Sequence, residues 1–203
     1  LKRLFADIPK PLNPSKRVIY PIPENTEPII SIVTDPEASV AVFGLEYKQM
    51  PLSDALKKTE EGYRQMLIRT LIVNMLDDRL DELVRQPESA IAGAQSRYDA
   101  IARSCDAFQV YVVAKEGKGK QAFATLLEET QRVKRYGFTA EELKRTKAKT
   151  LASYEKAYNE RNKQNTKNYM REYANHFLEL EPVPGIEWEY PTAKRMLEKE
   201  ISL

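Results

Sequence analysis

"AIAGAQSRY" at residues 90–98 and "DAFQVYVVA" at 106–114 decide the fold. The second run is dense in Val, Tyr and Phe, and a loop of seven residues separates it from the first. Two runs of this length and spacing are read as antiparallel neighbouring strands. Before them, Ser53 or Asp54 is a fair N-cap for a long helix reaching Arg85 or Gln86, where Pro87 forbids continuation. Its middle, "MLIRTLIVNML" (66–76), has 8 apolar residues of 11, so that turn of helix is expected to be covered on most sides. Further upstream, "IISIV" (29–33) and "SVAVFGLEY" (39–47) flank the loop "TDPEA" and are read as strands. Six prolines between Pro9 and Pro28 make an extended connector, and residues 1–8 look like a helix end stopped by Pro9.

Downstream, "GKGK" opens a helix with Phe123, Leu126, Leu127, Thr130 and Val133 along one face. Gly137 suits a left-handed residue just past its end, and Thr139 with Glu142 forms a capping box for the next helix. Leu143, Leu151, Tyr154 and Tyr158 make one stripe, and Tyr169, Tyr173 and Phe177 another. The polar stretch "NERNKQNTKN" between them predicts a break. The tail is expected to be extended through "EPVPGIEWEYP", with a short helix near 192–199. Strand pairs separated by long helices make the chain α+β, with helices packed on a mostly antiparallel sheet.

The composition narrows the function. A net charge of +2 over 203 residues gives no concentrated basic field, and the 9 basic residues of 141–172 are mixed with 5 acidic ones. Nucleic-acid binding is therefore disfavoured. No apolar run is long enough to span a bilayer. One cysteine, Cys105, forbids an internal disulfide, and no histidine lies near it to activate a nucleophile. "EGKGK" lacks the spacing of a phosphate-binding loop and is read as a plain turn. The acidic residues Asp77, Asp78, Asp81 and Glu82 lie beside Arg79 and Arg85, where ion pairing explains them.

The single histidine, His176, is followed three places on by Glu179 in "HFLEL". These are the first four positions of His-x-x-Glu-His, but Leu180 stands where the second zinc ligand would be. A zinc hydrolase needs three protein ligands, and Glu179 and Glu181 are too close in sequence to complete the set. The chain therefore offers no catalytic and no metal-binding residues, and it is expected to need no cofactor of its own.

Taken together, "TDPEAS", "NMLDDRLDELVRQPESAIAGA", "DAFQVYVVAKEGK", "GFTAEELKRTKAKTLASYEKAYNERNK" and "LELEPVPGIEWEY" resemble the pitrilysin/insulinase family of zinc metallopeptidases, in the family's order. The resemblance covers nearly the whole chain and is to the second, non-catalytic domain of the first half. It implies a metallohydrolase-type α+β domain over 1–180, with its N-terminal strand missing. It also implies an extended segment and short helix over 181–203, leading toward a next domain. The family forms a clamshell of two halves around a peptide, with zinc held by a catalytic domain ahead of this one. Arg85 matches an arginine that closing halves often carry, but the position seven residues on is Ala92 and not tyrosine. This argues against the closing half, and no substrate-binding residue is assigned.

The resemblance implies a fragment of a zinc metalloendopeptidase, whose non-catalytic domain supports the catalytic domain and walls the peptide-binding chamber. The alternative is a domain of an inactive relative that acts as a partner subunit or scaffold. The implied partners are the catalytic domain of the same polypeptide, a peptide substrate, and a partner half or second copy. The compartment suggested is periplasmic or cell-envelope.

Overall fold

A computed structural model describes residues 7–9, 12–15 and 18–203. The helix end expected over 1–8 lies mostly outside the described residues. Three strands form one antiparallel sheet: β1 (Val42–Gln49), β2 (Ile91–Ala102) and β3 (Cys105–Ala114), in the order β1-β3-β2. β2 and β3 are the antiparallel neighbours that the quoted stretch predicts, joined by the tight turn Arg103–Ser104. Along β3, Val110, Val112 and Ala114 are buried toward the helices, as period-two alternation requires. The fold is α+β.

"IISIV" does not form a strand. Residues 29–33 pair with no described strand, and their side chains are exposed. β-branched composition favours an extended backbone, but a strand exists only against a partner edge.

The helix expected from Ser53 to Arg85 is two helices, α1 (Asp54–Lys57) and α2 (Glu60–Arg85). Ser53 caps the first through Leu56 N at 3.2 Å, and Thr59 caps the second through Gly62 N at 3.1 Å. Gly62 permits the corner: a Cβ there would fall 2.0 Å from the Leu56 carbonyl oxygen. After β3 come α3 (Gly119–Tyr136) and α4 (Ala140–Asn159), the latter opened by the Thr139/Glu142 capping box. A short 3-10 turn (Arg161–Lys163) interrupts the chain where the polar stretch predicts a break, and α5 (Thr166–Glu179) follows.

The tail differs from expectation. Residues 186–191 are helical, not extended: α6 (Ile186–Arg195) continues through Pro191 into a π-helical turn at Met196–Glu200. Proline removes one backbone donor. The helix persists because Thr192, Ala193, Met196 and Leu197 are buried on its far side.

Two apolar clusters share α2 as their common wall. Tyr63, Leu67, Leu71 and Met75 pack with Leu143 of α4 and with Ala193, Met196, Leu197 and Ile201. Leu76 and Leu80 pack with Ile91, Val110, Val112 and Leu126. Hence the all-round apolar character of 66–76: the same helix serves two cores. The stretch 186–201 belongs to the first core, so residue 180 does not divide the packing.

Candidate functional site

With α2 and α3 packed on one face of the sheet, the other face carries the opposite set of side chains. Opposite one another lie Glu46, Gln109 and Arg97, and next to them Gly44, Tyr111 and Gln95. Arg97 Nε donates to Gln109 Oε1, whose Nε2 donates to Glu46 Oε1 at 3.2 Å. Tyr111 donates its hydroxyl to the same carboxylate oxygen. The Arg97 guanidinium lies 5.3 Å from the Tyr111 ring centre. Burial, and then the bond to Glu46, raise the Tyr111 hydroxyl above its ordinary value.

Gly44 shapes this face, because a Cβ there would meet Tyr111 Cε1 at 2.6 Å. Gln109 is buried in the middle of the network while Glu46, Gln95 and Arg97 are exposed. The Nε bond to Gln109 holds the Arg97 guanidinium in place, and a hydrogen bond from Arg97 to the Tyr111 hydroxyl opposes the rise in its pKa. The result is an ordered polar surface that presents an exposed arginine, a group suited to a carbonyl or carboxylate.

The residues weighed from sequence lie elsewhere. His176 is exposed in the last turn of α5, and its Nδ1 is hydrogen-bonded to the Glu181 carbonyl at 2.6 Å. Glu179 pairs with Arg103 at 3.0 Å. Among the described residues, no group of three His, Cys, Asp or Glu side chains converges. The zinc that the resemblance implies for the parent does not fit here. Cys105 is buried, with its sulfur against the Asp106 carbonyl at 3.2 Å. "EGKGK" is a turn with Gly117 at φ +70°, and α3 begins in it without a side-chain cap. Arg85 pairs with Asp81 at 3.4 Å, and Ala92 sits in a register shift of β2.

Asp77 and Asp78 find their partners off their own helix and not on Arg79 or Arg85. Asp77 accepts from Ser96 N at 2.6 Å and Ser96 Oγ at 2.8 Å, tying α2 to the sheet, and burial raises its pKa. Asp78 takes Lys149 of α4 at 2.8 Å. Arg79 is buried and reaches Glu142 at 2.5 Å, Glu129 at 3.3 Å and the Gly137 carbonyl at 3.0 Å. Its guanidinium lies 4.7 Å from the Phe138 ring centre. Arg79 therefore joins α2, α3 and α4.

A concavity of about 360 Å³ lies between α4, α5 and α6. Tyr154, Tyr169, Glu172 and Glu189 line it, and burial followed by the Glu172 charge raises the Glu189 carboxyl. No helix among the described residues is long and apolar enough to cross a membrane.

Sequence reasoning missed the network on the open face. Its signal is present as alternation: Gln95, Arg97 and Asp99 occupy every second position of β2, and Gln109 and Tyr111 do so in β3. Which face stays bare is decided by helix packing.

A family profile described as "Peptidase M16 inactive domain" matches residues 1–150. A protein of Arabidopsis thaliana named "Zinc protease PQQL-like" is 28% identical over 197 residues, which are 97% of this chain and 17% of that protein. The chain thus spans about a sixth of that relative's length. The first half of the periplasmic protease PqqL from Escherichia coli superimposes with a TM-score of 0.73 at 22% identity. That match covers 82% of this chain and 35% of that one. A protein of Yersinia pestis described as "Predicted insulinase family protease" gives a TM-score of 0.68 at 8% identity, covering 81% of this chain and 35% of that one.

Proposed function

This chain belongs to the peptidase M16 family, in the part described as its inactive domain, and we propose that it supports the catalytic domain of a zinc metalloendopeptidase and walls its peptide chamber. The helix-free face of the sheet is the wall. The observation that carries this reading is the Arg97–Gln109–Glu46–Tyr111 network. A sheet face of no consequence needs only scattered solvated side chains. This one holds a buried glutamine and fixes an exposed arginine, which is the order a peptide-contacting surface requires. The zinc is supplied by another domain of the parent. The periplasmic setting named for PqqL supports an envelope location as part of the same proposal.

Site-specific photo-cross-linking in the full-length polypeptide tests the wall. A photoreactive residue at Gln95, on the open face, should capture a peptide substrate. One at the exposed Glu128 on the helical side should not. Capture from Glu128 and none from Gln95 would refute the assignment of the face.

A further inference from the structure

Residues 29–33, "IISIV", pose a problem that the sheet does not solve. Ile29, Ile30, Ile32 and Val33 are 75%, 82%, 84% and 88% exposed. In an extended chain Ile29 and Val33 point one way and Ile30 and Ile32 the other. The segment is thus apolar on both faces. That pattern belongs to a strand covered on both sides, whereas a strand lying on a surface keeps one polar face. Among the described residues, no backbone hydrogen bond reaches the amides or carbonyls of 29–33.

The segment is nonetheless bracketed by fixed points. Upstream, Lys48 Nζ donates to the Pro23 carbonyl at 2.9 Å and Ser104 Oγ to the Tyr20 carbonyl at 2.7 Å. Downstream, a tight turn is closed by Ala38 N on the Asp35 carbonyl at 3.1 Å, with Asp35 Oδ1 accepting from Glu37 N at 2.8 Å. This turn leads toward β1, whose outer edge is also open in the order β1-β3-β2. A hairpin with β1 is therefore within reach of the chain and is not formed. The relatives carry several times this length of polypeptide.

We propose that residues 29–33 are a strand donated to an open sheet edge in another domain of the same polypeptide. Main-chain hydrogen bonds supply the pairing, and the two apolar faces are covered by that domain's side chains. The inference rests on the reading of this chain as one domain of a longer peptidase. It makes 29–33 a structural joint between the supporting and neighbouring domains.

Hydrogen exchange on the full-length polypeptide tests it without reference to peptidase activity. The amides of 29–33 should exchange at least ~100-fold more slowly than unprotected ones, independently of protein concentration. Ile32→Pro, which removes one donor, should abolish that protection while the amides of Val42–Gln49 and Cys105–Ala114 keep theirs. Three results would overturn the proposal. Fast exchange of 29–33 in the wild type means no partner strand. Protection that grows with concentration means a second copy is the partner. Loss of protection in Val42–Gln49 on Ile32→Pro means that 29–33 pairs with β1. Should Ile32→Pro fail to fold, a disulfide forming between cysteines introduced at Ile30 and Glu46 reports the β1 pairing instead.

Discussion

Arg79 holds Glu142 in a two-point clasp, Nε to Oε1 at 2.5 Å and Nη2 to Oε2 at 2.9 Å. The same guanidinium reaches Glu129, so one buried cation balances two carboxylates from two further helices. Replacing Arg79 with Leu leaves both acids without their shared partner. Breaking a buried pair from one side typically costs about 3–5 kcal/mol. Urea denaturation of Arg79→Leu should show a loss of that order, and a loss under about 1 kcal/mol would mean the pair is loose in solution.

Acid should loosen the same junction. The Arg79 hydrogen bond, first, and Thr139 after it hold the Glu142 carboxyl down to about 2 from its ordinary 4.5, against its partial burial. A depressed carboxylate contributes stability that is present above its unfolded value and lost as pH falls through its folded one. Stability should therefore decline from about pH 4.5 toward pH 2. Asp77, raised by burial, acts in the opposite sense and contributes most below its ordinary value of 3.8. Glu142→Gln should flatten the decline. A midpoint-versus-pH curve unchanged in that variant would assign the acid sensitivity elsewhere.

Gly137 sits at φ +65°, ψ −146°. The positive φ is as expected, but the ψ is far from the left-handed helical value and close to a region that glycine alone enters readily. Asn tolerates the left-handed helix and gains little from that here. Gly137→Val and Gly137→Asn should both destabilise, by about 1–3 kcal/mol. No atom stands within 4 Å of the missing Cβ, so strain and not collision is being measured. A denaturation midpoint for Gly137→Asn equal to wild type would show a relaxed backbone.

On the proposed function, His176→Ala should leave zinc content and turnover of the full-length polypeptide close to wild type. The ring is exposed and its one hydrogen bond goes to the Glu181 carbonyl. Its loss should cost at most about 1 kcal/mol of stability. Collapse of both readouts in a folded variant would make "HFLEL" a metal site.

What could be read from the sequence was what neighbours in sequence decide. Thr139 and Glu142 are three residues apart and specify their cap locally. The Val- and Tyr-rich run of β3 announces a strand because its partners lie on both sides of it. Arg79 was misread because its partners are 50 and 63 residues away, and nothing nearby distinguishes a buried arginine from a solvated one. "IISIV" has the composition of a strand and no described edge to join. Pro191 hides a helix that long-range burial of Ala193 and Leu197 maintains. The polar alternation of β2 and β3 was visible, but only the packing of α2 and α3 shows which face remains open.

The open face is tested most directly by kinetics and zinc analysis of Arg97→Glu in the full-length polypeptide, beside wild type. Reversing that charge should change kcat/KM for peptide substrates by about tenfold or more, mainly through KM, with zinc content unaltered. Unchanged kcat/KM would show that the face does not meet the peptide. Loss of zinc from a folded variant would place the metal in the wrong domain, and a wild type with neither zinc nor peptidase activity would contradict the proposed function at its root.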